Sequence, residues 1–107
     1  MGLDITLTAV RETEVYNCNI THNLTRMANA AGIYQALWRP EELGIERAEE
    51  LVPLLAEGLA WLKSNEQYFR QFDAPNGWGT YEHFVPFVEQ VLEACQANPD
   101  AKIHISS

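Results

Sequence analysis

Apolar and polar residues alternate from the start of the chain, with Leu3, Ile5 and Leu7 on one side and Asp4, Thr6 and Thr8 on the other. This two-residue period is that of a half-buried strand. The polar run Arg11-Glu12-Thr13-Glu14 interrupts it, and Val15-Tyr16-Asn17-Cys18 resumes an extended pattern, so the spacing predicts a hairpin ending near Asn19. The period then changes. In residues 19–40, Leu24, Met27, Ala28, Ala31 and Trp38 recur at helical spacing and form a core-facing stripe. Asn19 or Thr21 can cap the start of this helix, and Pro40 ends it because the residue before a proline disfavours helical angles. His22, Arg26 and Asn29 share the opposite, wetter side, and Gly32 is a weak point midway.

Pro40-Glu41-Glu42-Leu43-Gly44 reads as a turn or a single helical turn, with proline near its start and glycine at its end. A second helix follows with the stripe Ala48, Leu51, Leu55, Leu59 and Leu62, and Pro53 falls in its first turn or kinks it. Ser64 and Gln67 resemble a capping box, which predicts a separate short helix over residues 65–72 carrying Tyr68, Phe69 and Phe72 inward. Residues 73–79, with Pro75, Asn76-Gly77 and Gly79, form a loop. Thr80 caps a third helix whose buried stripe is Phe84, Val88, Val91 and Cys95, with Pro86 implying a kink or a late start. Asn98-Pro99-Asp100 stops it, and residues 101–105 alternate as a last strand.

These elements predict a single α+β domain over residues 1–107. Three main helices would pack on one face of a small antiparallel sheet formed by an N-terminal hairpin and a C-terminal strand. The last strand should pair with the hairpin, since alone it could not satisfy its backbone. At 107 residues the chain can bury about two-thirds of its unfolded surface without metal or disulfide help.

Charge narrows the functions. Seven Lys and Arg against fifteen Asp and Glu leave a net charge of −8, which disfavours a nucleic acid polymer as partner. Acidity gathers in residues 41–57, where six Glu face Arg47 alone, and this run reads either as a solvated face or as a docking surface for a basic host protein. The chain opens without a basic segment followed by an apolar one, so a cytoplasmic protein with no membrane partner is expected, and the two sequons at Asn19 and Asn23 have no consequence there. Cys18 and Cys95 lack close spacing and read as reduced, partly buried thiols.

Candidate chemistry concentrates at the helix start and the glycine-rich loop. Thr21, His22 and Asn23 surround free backbone N–H groups suited either to an anion or to an ordinary cap. Arg26 and Arg39 are cationic neighbours, and Arg39 beside Trp38 could equally stack or cap helical carbonyls. Asn76 and Trp78 lie on the loop, where Trp78 could cover a pocket or fold onto the core. His22, His83, His104 and the two cysteines show no metal-ligand spacing, so neither a metal nor another cofactor is expected. Cys18 near His22 lacks an orienting third residue, and the pairs Glu41-Glu42 and Glu49-Glu50 diverge on a helix, so no catalytic residue is assigned.

Three segments, Asn19-Ile20-Thr21-His22-Asn23-Leu24, Leu37-Trp38-Arg39-Pro40-Glu41-Glu42 and Asn76-Gly77-Trp78-Gly79-Thr80-Tyr81-Glu82, together resemble a set of small uncharacterised proteins of bacteriophage and bacterial genomes. The resemblance spans nearly the whole chain. It implies a phage-type accessory protein and transfers no functional residue. The leading expectation is a non-catalytic protein that binds a small anionic, nucleotide-like ligand through Thr21, His22, Asn23, Arg26, Arg39, Asn76 and Trp78. It would sequester a host signalling molecule and so antagonise host defence. The rivals are an acidic inhibitor of a host protein and a small nucleotide hydrolase, and a homo-oligomer is compatible with each. The geometric question is whether Trp78 lies near residues 21–23 or near Arg39.

Overall fold

The first strand occupies the centre of the sheet and the last strand flanks it. A computed structural model describes residues 2–9 and 13–106, so the Arg11-Glu12 part of the predicted hairpin connection lies outside the described residues. Strands β1 (Gly2–Thr8), β2 (Glu14–Thr21) and β3 (Lys102–Ser106) form one antiparallel sheet in the order β2-β1-β3. Ile5 sits opposite Cys18 on one side and Ile105 on the other. Leu3, Ile5 and Leu7 are buried beneath the helices while Asp4, Thr6 and Thr8 face outward, as their alternation predicts. On the outer face the Asn17 amide donates to Thr6 Oγ1 at 2.8 Å and to Asp4 Oδ1 at 3.2 Å.

The predicted helix over residues 19–40 is divided. β2 continues through Asn19 to Thr21, a 3-10 turn covers His22–Leu24, and helices α1 (Thr25–Ala30) and α2 (Tyr34–Trp38) follow. Gly32 separates them with φ of +78°, a conformation that disfavours a Cβ. Its N–H bonds the Asn29 carbonyl at 3.0 Å and the Ile33 N–H reaches back to the Ala28 carbonyl at 3.0 Å. This is the Schellman arrangement, so the glycine acts as a helix stop rather than a tolerated weak point. The stripe of Leu24, Met27, Ala28, Ala31 and Trp38 is nevertheless buried as predicted.

Pro40–Leu43 makes one 3-10 turn closed by Gly44 at φ +72°. Helix α3 (Ala48–Ser64) buries Ala48, Leu51, Leu55 and Leu62, leaves Leu59 partly exposed, and runs unbroken past Pro53 in its second turn. Its start is capped by the Glu50 carboxylate, which accepts from the N–H groups of Arg47 at 3.0 Å and Glu46 at 3.1 Å. Those two bonds, the one from the Glu46 N–H first and the one from Arg47 second, hold Glu50 below the usual carboxylate range.

Helix α4 (Glu66–Arg70) is shorter than predicted, because α3 extends through Ser64 and the Ser64-Gln67 capping box does not form. On so short a helix adjacent residues point apart: Phe69 is fully buried, Phe72 is partly buried, and Tyr68 is turned outward at 52% exposure. Helix α5 (Tyr81–Ala97) buries Phe84, Val88, Val91 and Cys95, begins well before Pro86, and ends ahead of Asn98. Thr80 occupies the N-cap position, but its hydroxyl contacts His83 Nδ1 at 2.9 Å, and the Asp73 carboxylate instead accepts the Tyr81 N–H at 2.7 Å. The Tyr81 hydroxyl donates to the Leu62 carbonyl at 2.9 Å, joining α5 to α3. Among the described residues no helix is long and apolar enough to cross a membrane.

Candidate functional site

The candidate residues fall into two groups. Thr21, Asn23, Asn76 and Trp78 meet where the loop over residues 73–79 crosses the end of β2. The Asn23 amide donates to the Trp78 carbonyl at 2.6 Å, and the Asn76 side chain accepts the Trp78 N–H at 2.9 Å. Thr21 Oγ1 accepts the Asn23 N–H at 3.3 Å, so of the two predicted caps Thr21 is the one used. The approach is tight at Gly79, where φ is +112° and an added Cβ would lie 2.9 Å from Asn23 Cβ. Trp78 therefore sits near residues 21–23. Its ring is 71% exposed, over an open cleft of about 490 Å³ that Asp4, Asn19 and Thr21 also line. The Asp4 carboxylate makes this cleft unfavourable for a phosphate.

Arg26 shares a cleft with Tyr34, and Arg39 makes a polar contact with the same side chain. Arg26 and Asn29 lie one turn apart on the outer side of α1 and, with Thr25 and Tyr34, line a cleft of about 320 Å³. The turn at Gly32 separates the two helices and sets Tyr34 at the start of α2, in the same cleft as Arg26 and Asn29 of α1. The Tyr34 ring stacks on Trp38 with centroids 5.6 Å apart and planes 15° apart. Arg39, exposed just after α2, is held above its ordinary value first by polar contact with the Tyr34 side chain and then by the charges of Glu42 and Glu41. Arg26 lies over the Phe72 ring, 5.7 Å from its centroid. Among the described residues neither guanidinium has a carboxylate within 4 Å, which is true also of Arg47 and Lys102, whereas Lys63 pairs with Glu89, and Arg70 with Glu66 and Glu82.

His22 stands between the two groups but does not occupy the wet side of a helix as predicted. The Trp38 indole N–H donates to His22 Nδ1 at 3.3 Å, and the His22 and Trp38 ring centroids are 6.2 Å apart. With Nδ1 accepting from the indole, Nε2 is left buried without a hydrogen-bond partner among the described residues. The reason is the broken helix: the 3-10 turn directs the imidazole back toward α2.

Thiol chemistry at Cys18 finds no support in its surroundings. Burial pushes its thiol upward against a smaller opposing contact from Tyr16, and the Asp4 charge adds a little in the same upward direction. Burial likewise pushes Cys95 up to about 11, with Cys18 as the secondary cause, and raises the Tyr16 hydroxyl. Both thiols are free, and these environments are those of inert, protonated groups rather than of a nucleophile. Among the described residues no three His, Cys, Asp or Glu side chains gather in a way that could hold a metal ion.

Sequence reasoning overlooked Thr25 and Tyr34 as cleft residues. The spacing of Asn29 three residues after Arg26 is the signal the sequence carries for this cleft. Tyr34 carried none, because its position depends on the turn at Gly32. Comparison with family models, curated proteins and solved structures returned no match to this chain.

Proposed function

We propose that the chain is a non-catalytic binding protein for a small anionic ligand, with the anion held by Arg26 and Arg39 around Tyr34. The observation that supports this reading is that Arg26 and Arg39, which among the described residues form no ion pair, both approach Tyr34 on a chain of net charge −8. Guanidinium forks suit phosphate and carboxylate groups, and Thr25, Asn29 and Tyr34 add hydroxyl and amide groups on the cleft that Arg26 lines. A nucleotide-like ligand fits this chemistry because its phosphate supplies the charge. Sequestration of a host signalling molecule is the setting that the phage-type resemblance suggests. The residues at Thr21, Asn23 and Asn76 serve in this reading to hold the Trp78 loop.

Calorimetry with inorganic phosphate and a panel of nucleotides tests the proposal. Saturable heat with one member, weakened at least about tenfold by Arg26→Ala or Arg39→Ala, is the expected outcome. Absence of heat with every member, or undiminished affinity in the double variant, would discard it. Recovery of unaltered ligand after long incubation separates binding from the hydrolase alternative.

A further inference from the structure

Helix α3 carries two stripes. The first, Ala48, Leu51, Leu55, Gly58 and Leu62, is buried against the core. The second, Glu50, Leu54, Glu57, Trp61 and Ser64, repeats at spacings of four and three residues, the period with which one helix presents a seam to another. All five of its residues are exposed, and it holds two large apolar side chains in solvent, Leu54 at 36% and Trp61 at 53% exposure. Beside it runs a groove of about 550 Å³, walled by residues 30–33 and by Leu54, Glu57 and Trp61. The groove exists because Gly58 lets the turn between α1 and α2 come close: a Cβ there would lie 2.3 Å from Ile33 Cγ2.

From this surface we infer that the groove along α3 receives a basic amphipathic helix of a partner protein. Leu54 and Trp61, one heptad apart, anchor its apolar face, and a Lys or Arg of the partner meets Glu57 between them. Charge selects this occupant. Glu50 is engaged in capping α3, whereas Glu57 takes part in no ion pair among the described residues. A second copy packed by a two-fold axis on the same stripe would bring Glu57 against its own symmetry mate inside an apolar seam, which is unfavourable. A cationic helix turns the same carboxylate into an attraction that fixes register. This surface is separate from the arginine cleft, and the inference stands whether or not that cleft binds an anion.

A synthetic amphipathic helix of leucine and lysine, with a leucine and glutamate counterpart, is the probe, and calorimetry at physiological salt is the measurement. Saturable binding of the lysine peptide should weaken at least about tenfold in Trp61→Ala and in Leu54→Ala. Glu57→Lys should weaken it similarly and create binding of the glutamate peptide, while Glu93→Lys, an equal change of net charge on the exposed side of α5, should alter affinity less than about twofold. Melting curves confirm that each variant is folded, which the exposure of Leu54, Glu57 and Trp61 favours. No saturable binding overturns the inference, as do equal losses in Glu57→Lys and Glu93→Lys. So does sedimentation of the native chain as a dimer that Trp61→Ala converts to monomer.

Discussion

Two clusters of polar side chains flank the His22-Trp38 contact, and they differ in what their groups are doing. Where the Trp78 loop crosses the end of β2, the side chains of Thr21, Asn23 and Asn76 are each bonded to a backbone group within the chain. Around Tyr34, the charges of Arg26 and Arg39 face no carboxylate within ion-pair distance among the described residues. A hydrogen-bonding group already satisfied by its own fold gains little from a ligand, because binding would exchange one bond for another. The difference separates residues that build a surface from residues able to use it.

Substitutions can break this contrast, and their effects should decline in a defined order. Gly79→Ala should be the most damaging, destabilising the fold by about 2–3 kcal/mol in urea titration, since it combines a positive φ with a clash against Asn23 and Thr21. Asp73→Ala should cost about 1–2 kcal/mol by the same measurement through loss of the cap on α5. Asn23→Ala should cost about 1 kcal/mol and raise amide exchange in the loop, because the Trp78 carbonyl loses its donor. Arg26→Ala and Arg39→Ala should leave the urea midpoint almost unchanged while weakening anion binding at least about tenfold. If instead the arginine variants unfolded the protein and Asn23→Ala abolished binding, the roles of the two clusters would be reversed.

A control outside both clusters sharpens the comparison. Glu50 is depressed by N–H bonds from Glu46 and Arg47, so its contribution to stability is present above its ordinary value of 4.5 and is lost as pH falls through the lower folded value. Glu50→Gln should flatten part of the acid limb of a stability profile. The anion affinity at neutral pH should stay the same, as calorimetry on the same variant would show.

The alternation of Leu3, Ile5 and Leu7 and the stripe of Phe84, Val88, Val91 and Cys95 were legible because strand and helix periods are local and both elements bury one whole face. The break at Gly32 was less legible, since an isolated glycine in a helical pattern signifies either a weak position or a stop, and the choice depends on bonds to Ala28 and Asn29. Thr80 shows the limit at a cap. Its type and position were right, yet Asp73, seven residues earlier, reached the free N–H first. Tyr68 failed for a geometric reason, because Tyr68 and Phe69 are adjacent on a one-turn helix and cannot both face inward. For the candidate site, the meeting of Asn76 and Trp78 with Thr21 and Asn23 was one of two arrangements left open, and only tertiary contact decided between them. The cleft at Tyr34 was not legible, because it depends on the turn at Gly32 that brings Tyr34 beside residues of α1.

The strand order also governs how the chain reaches this state. β1 is made first but lies between β2 and β3, and its pairing of Asp4 with Ser106 links positions almost the full length of the sequence apart. The hairpin can form locally, whereas the other edge of β1 stays open until residues 102–106 have been synthesised and α5 has carried them back. During that interval an unpaired strand edge is available to a neighbouring nascent chain, which makes late closure of the sheet the step most exposed to aggregation.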